Sequence, residues 1–183
     1  LYRSDAGLHE STPWYATNYD DNNWQTVNMF SQSWGNNGLN PIGGSHWLRQ
    51  DIEIPQSWNG KEATLRLGCI VDADSVYVNG VFVGTTSYQY PPRIYRIPAG
   101  ILKSGKNNIT VRIISNGGQP GFVQEKPYKI ICDNEEINLK QKWKYRLGAP
   151  MPPAPEMMFF WYKPVCLYNA MIAPLQNYSI RGV

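Results

Sequence analysis

Strict alternation of apolar and polar residues is the dominant pattern along this chain. Ala63-Thr-Leu-Arg-Leu67 and Ile109-Thr-Val-Arg-Ile113 put an apolar residue at every second position, the period of a strand with one face buried and one face wet. Leu48-Arg-Gln-Asp-Ile-Glu-Ile54 places Leu48, Ile52 and Ile54 on one face, with Gln50 as an interruption. Val76-Tyr-Val-Asn-Gly-Val-Phe-Val83 predicts a hairpin, because Asn79-Gly80 suits the two positive-φ positions of a type I′ turn. Tight pairing then sets Val78 opposite Val81, Tyr77 opposite Phe82 and Val76 opposite Val83. Further strands are expected at 94–97, 128–132 and 140–147, separated by turn-rich stretches such as Ser115-Asn-Gly-Gly-Gln-Pro-Gly121. No segment sustains a period of 3.6 residues. Many short strands at regular spacing predict an all-β sandwich.

The pattern changes after Gly148. Ala149-Pro-Met-Pro-Pro-Ala-Pro155 reads as a stiff, extended linker. An apolar stretch follows at 157–162, then Lys163-Pro-Val-Cys-Leu-Tyr-Asn-Ala-Met-Ile-Ala-Pro-Leu175. So apolar a tail needs a partner surface. The expected division is therefore a β-sandwich over 1–148 and a mostly irregular tail over 149–183.

Composition sharpens this picture modestly. Seven Trp, twelve Tyr, 16 Gly and 14 Pro suit short strands filled by aromatics and broken by turns. A net charge of +3 is too small to indicate a nucleic-acid partner. Cys69, Cys132 and Cys166 are far apart, and His9 and His46 are the two histidines. Neither a disulfide framework nor a zinc site is supported by that set, and no cofactor is expected. No apolar run approaches a membrane span, so no membrane partner is expected. The chain begins at Leu1 without Met or a leader and reads as an excised fragment.

Two blocks carry a family resemblance. The first runs through Asp21-Asn-Asn-Trp24, Gly44-Ser-His-Trp-Leu-Arg49, Leu67-Gly-Cys-Ile-Val-Asp-Ala-Asp74, the Asn79-Gly80 hairpin, Arg93-Ile-Tyr-Arg-Ile-Pro98 and Gly105-Lys-Asn107. In this order they resemble the sugar-binding-like jelly roll of family-two glycoside hydrolases. The version with Pro-Arg-x-Tyr (Pro92 to Tyr95) and a Gly-Asn turn is closer to the galactose-binding-like domain inserted in bacterial sialate O-acetylesterases. This block covers roughly 18 to 147. The second block, Leu167-Tyr-Asn-Ala-Met-Ile-Ala-Pro-Leu175 with Tyr178-Ser-Ile-Arg-Gly-Val183, is similar to the segment by which such esterases return to their SGNH-type catalytic domain. The family usually has Gly where this chain has Ala170.

The resemblance implies a serine ester hydrolase that removes O-acetyl groups from sialic acid or related glycans and works in the periplasm or outside the cell. It places the nucleophile upstream of Leu1 and an Asp-x-x-His motif downstream of Val183, so the esterase catalytic domain of the same polypeptide is the expected partner and this chain its non-catalytic part. Neither motif occurs in the sequence, and no catalytic residue is assigned. Ser45 is followed by His46, but neighbours on a strand face opposite ways, so the imidazole is badly placed as a base. A stand-alone carbohydrate-binding module, or the non-catalytic domain of a glycoside hydrolase, remains open as an alternative.

The candidate carbohydrate-binding residues are Trp34, Trp47, Tyr88 and Tyr90, aromatics in or beside loops that can stack on the C–H face of a sugar. Core packing is the competing reading, for Trp47 above all. Asp72 and Asp74 are spaced for turn and backbone hydrogen bonding, not for a pair of carboxylates across a cleft. Asn18-Tyr-Asp-Asp-Asn-Asn23 offers hard oxygen ligands for calcium, yet such clusters also simply make turns, and no metal is assigned. Lys140, Lys142, Lys144 and Arg146 are expected on the solvated face of an outer strand. The sequons at Asn108 and Asn177 carry no weight in a protein of the bacterial origin that the resemblance implies.

Overall fold

A computed structural model describes residues 1–30, 35–117, 119–152 and 168–179. The segment Leu1–Pro153 forms one compact unit and Ala154–Val183 a second. In the first unit the strands are β1 (Gln25–Val27), β2 (Gly44–Ile54), β3 (Ala63–Leu67), β4 (Ile70–Val71), β5 (Ala73–Val78), β6 (Val81–Thr86), β7 (Ile94–Ile97), β8 (Gly105–Ser115), β9 (Gly121–Phe122), β10 (Tyr128–Cys132), β11 (Glu135–Asn138) and β12 (Trp143–Pro150). They form a six-stranded sheet, β1-β12-β2-β8-β5-β6, a four-stranded sheet, β11-β10-β3-β7, and a short β4-β9 ladder, all antiparallel. The architecture is the all-β sandwich expected from the alternation.

The buried core follows the period-two pattern. Leu48, Val76, Val78, Ile109, Val111 and Ile113 of the large sheet join Leu65, Leu67, Ile97, Tyr128 and Ile130 of the small one in a single apolar cluster. Gln50 sits in this inward row with its amide nitrogen bonded, while its Oε1 is buried with no hydrogen-bond partner among the described residues. Its Nε2 donates to the carbonyls of Leu139 and Lys142 at 3.4 and 3.2 Å, which offsets part of the cost of burying it. His46 also points inward, where its ring bonds the Tyr145 hydroxyl and the Ile42 carbonyl. Burial holds the His46 imidazole below its ordinary value, the Ile42 contact opposing.

The outer face of the large sheet is covered. Residues 1–24, including the single turn α1 (Ala6–His9), fold over it and build a second cluster from Trp14, Trp24 and Trp47, with Tyr15, Tyr19 and Tyr77 packed against it. Two buried acids secure the cover. Asp5 accepts from Gly7 N, from Trp47 Nε1 at 2.9 Å and from Arg112 Nε at 2.7 Å. Asp21 pairs with Arg49 at 2.7 Å and Lys144 at 2.5 Å.

This cover corrects the reading of β12 as an outer strand with a solvated cationic face. The strand lies second in its sheet, between β1 and β2. Lys144 is held by Asp21, while Arg146 bonds the Tyr19 hydroxyl and lies 4.7 Å above the Trp14 ring. β12 also runs on through Ala149 and Pro150, which pair with Ser45 and Gly44 after a bulge. In the second unit the described residues form a π-type turn, Tyr168–Ile172, and a 3-10 turn, Ala173–Leu175. Residues 157–162 lie outside the described residues.

The hairpin forms at Asn79-Gly80 with both φ angles positive, 49° and 79°, as a type I′ turn requires. Val78 faces Val81 and Tyr77 faces Phe82, but Val76 faces Gly84 instead of Val83. The bulge has a local reason. Gly84 lies against the Tyr95 ring so closely that a side chain there would overlap it. Inserting Val83 brings this small residue to the contact and sets Thr86 opposite Asp74.

Candidate glycan-contact site

The loop between β6 and β7 carries two of the four aromatics singled out above. Tyr88 and Tyr90 are 59% and 67% exposed, with ring centroids 5.1 Å apart in an edge-to-face arrangement. Exposed tyrosines on a loose loop would need ordering before they could hold a ligand. This loop is fastened from beneath by Arg93, which is fully buried.

Each of the five guanidinium N–H donors of Arg93 has an acceptor within reach. Nε donates to Asp74 at 2.6 Å, Nη1 to the carbonyls of Gln89 and Pro91, and Nη2 to the carbonyls of Ile70 and Asp72. Asp74 also accepts from the Tyr95 hydroxyl at 2.5 Å, and that hydroxyl contacts Thr86 at 2.8 Å. Burial raises the Asp74 carboxyl, with Tyr95 and Arg93 pulling the other way. Burial, then the Asp74 contact, pushes the Tyr95 phenol far above its usual range. Cys69 Sγ donates to the Tyr90 carbonyl at 3.2 Å, so Tyr90 is fixed at its own backbone. In physical terms, Pro92-Arg-Ile-Tyr95 is a loop clamp: Arg93 and Tyr95 point inward to one carboxylate, while Ile94 between them points out.

Beside Tyr90 lies a concavity of about 230 Å³. Its walls include Arg66, Tyr90, Ile94, Lys126 and Pro127, and Gly68 helps to form its floor. Gly68 has φ 53°, and a Cβ there would collide with Lys126 and Tyr128. Glycine is therefore required here both by the positive φ and by the close approach of Lys126 and Tyr128. Arg66 occupies an outward position of β3, between Ile94 on β7 and Lys129 on β10. The alternation of β3 already marked Arg66 as outward-facing; that Lys126 and Ile94 join it depends on strand order, which pattern alone does not supply.

The other candidates fall elsewhere. Trp47 is fully buried and its indole N–H is bound to Asp5, so it packs beneath the N-terminal cover and offers no face to a sugar. Trp34 lies outside the described residues. Asp72 accepts from Asn116 N and Asp74 from Arg93 and Tyr95, which are structural contacts. In the Asn18-to-Asn23 cluster, Asp20 accepts from Asn22 N while Asp21 is committed to Arg49 and Lys144. Among the described residues no group of three or more His, Cys, Asp or Glu is placed to hold a metal.

A second concavity, about 260 Å³, is lined by Tyr19, Asp21, Arg49, Asp51, Lys106 and Asn108. Its charges are largely spent on one another: Arg49 with Asp21, and Lys106 and Asn108 with Asp51, both at 2.9 Å. Ser45 and His46 diverge as neighbours on a strand must. The imidazole bonds Tyr145 in the interior, and Ser45 Oγ lies on the opposite side, against Gly148. Cys69 and Cys132 are buried free thiols; Cys166 is outside the described residues.

No protein-family model matches this sequence, and no curated protein matches it. Among solved structures, a β-glucuronidase from Ruminococcus gnavus in complex with uronic isofagomine is 22% identical, with a TM-score of 0.39 over 50% of this chain and 15% of that chain. A β-glucuronidase from an uncultured Clostridium sp. is 20% identical, with a TM-score of 0.38 over 50% of this chain and 15% of its own. The matched region thus spans about 15% of the length of those enzymes. Likeness at this level carries no inference about activity.

Proposed function

We propose that this chain is a non-catalytic, glycan-facing accessory domain of a carbohydrate esterase, one that removes O-acetyl groups from sialic acid or related glycans. The observation that carries the glycan-facing part is the exposed Tyr88–Tyr90 pair on a loop clamped by buried Arg93. Rigid aromatics give a sugar an apolar platform at little ordering cost. The esterase parentage is supported by the Pro-Arg-x-Tyr block and by the segment from Leu167 to Val183 that resembles the esterase return. The accessory role is supported by the divergence of Ser45 and His46, since acyl transfer needs nucleophile, base and oxyanion donors together.

Residues 1–183 are expected to be silent toward p-nitrophenyl acetate, whereas the whole protein releases acetate from O-acetylated sialosides. Sustained turnover by 1–183 alone would overturn the accessory assignment. On a glycan array, 1–183 should bind saturably and lose that binding when Tyr88 and Tyr90 are both replaced by Ala. Binding that survives the double substitution places the contact elsewhere and overturns this site.

A further inference from the structure

Cations on the outer face of the small sheet and its rim are unequally satisfied. Arg96 pairs with Glu62 at 2.5 Å, Lys129 with Glu136 at 2.5 Å, and Lys61 with Asp133 at 2.8 Å. Arg66 and Lys126, the two cations at the concavity beside Tyr90, have no ion pair or side-chain hydrogen bond among the described residues. They share the concavity with the largely apolar residues Tyr90, Pro92, Ile94 (51% exposed) and Pro127. A solvated charge is unremarkable alone. Two charges without an ion pair among the described residues, set beside Tyr90, Ile94 and two prolines, make a composite surface, part apolar and part cationic.

We infer that this concavity takes a sugar ring bearing a carboxylate, with the ring on Tyr90 and Ile94 and the carboxylate between Arg66 and Lys126. Guanidinium geometry favours a forked contact to a planar carboxylate, and the ammonium adds a point charge. The volume of about 230 Å³ is below the range of drug-sized sites and suits one ring. A neutral sugar would stack and leave both cations unmatched, so the site discriminates by charge. This inference rests on the glycan-facing reading above and specifies the class of sugar.

The test titrates 1–183, by NMR shift perturbation, with the methyl glycosides of glucuronic acid and of N-acetylneuraminic acid, each beside its own methyl ester, and with acetate. For at least one pair the acid should bind about tenfold or more tightly than the ester, whose ring is the same. The Arg66→Gln/Lys126→Gln double variant should bring acid and ester together, and Tyr90→Ala should weaken both. Both cations are on the surface, so an unchanged melting temperature verifies that the double variant is folded. Acid and ester binding alike in both pairs would overturn the inference and leave the glycan-facing reading standing. Acetate binding as tightly as the acids would reduce the site to a bare anion contact and also overturn it. Silence toward every sugar would remove both readings.

Discussion

Arg93 shows what one buried residue can do for a surface. It neutralises Asp74 and closes off four carbonyls that a loop would otherwise leave dry and unmatched. Replacing it with Met leaves the Asp74 carboxylate buried with Tyr95 alone, a change expected to cost about 3–5 kcal/mol by urea denaturation. His46 supplies a second test at this scale. Its folded-state value lies below its ordinary one because it is buried, so the unfolded chain takes up the proton first as pH falls. Stability should therefore decline below about pH 6.5, by at most ~1.4 kcal/mol per pH unit from this residue. His46→Gln should show a smaller shift in urea midpoint between pH 7.5 and 5.5 than the unsubstituted chain. Residue roles were only partly legible in the sequence. The inward setting of Gln50 reads as an error in the alternation until Leu139 and Lys142 are brought beside it. Arg93 looks like any surface arginine until the stretch from Ile70 to Asp74 is brought against its own loop at Gln89 and Pro91.

Elements were far more legible, because a strand's period and a turn's chemistry are local. β3, β7 and β10 match the expected spans, and β2 and β8 exceed theirs by four residues at the start of β2 and by four and two residues at the two ends of β8. Asn79-Gly80 gives the expected turn, and the register fails only where Gly84 meets Tyr95, a contact between elements that no local pattern encodes. Gly80→Ala tests the turn directly. Space exists for the methyl group, whose nearest neighbour would be the Tyr15 carbonyl at 3.6 Å. The cost is therefore the positive φ alone, about 1–2 kcal/mol. A loss near zero in thermal or urea unfolding would show that the turn relaxes to another type.

The assembled molecule depends on a layer that the alternation does not announce. Residues 1–24 contain no strand-like or helix-like repeat, yet they shield the outer face of the large sheet through Trp14, Trp24, Asp5 and Asp21. Their aromatic and acidic residues complement Arg49, Arg112, Lys144 and Arg146, which belong to three different strands, so the match exists only after folding. Asp21 makes this cover sensitive to acid. Burial acts to raise its carboxyl, but the hydrogen bonds and charges of Lys144 and Arg49 prevail and hold it below the ordinary value of 3.8. A lowered carboxylate stabilises the fold above the unfolded value, and the contribution fades as pH falls through the folded one. Asp21→Asn should accordingly lower the urea midpoint at pH 7, where Arg49 loses its counter-charge. The two proteins should then converge between about pH 4 and 2, as the native aspartate itself becomes protonated. A gap that persists undiminished at pH 2 would mean that shape, not charge, holds the cover in place.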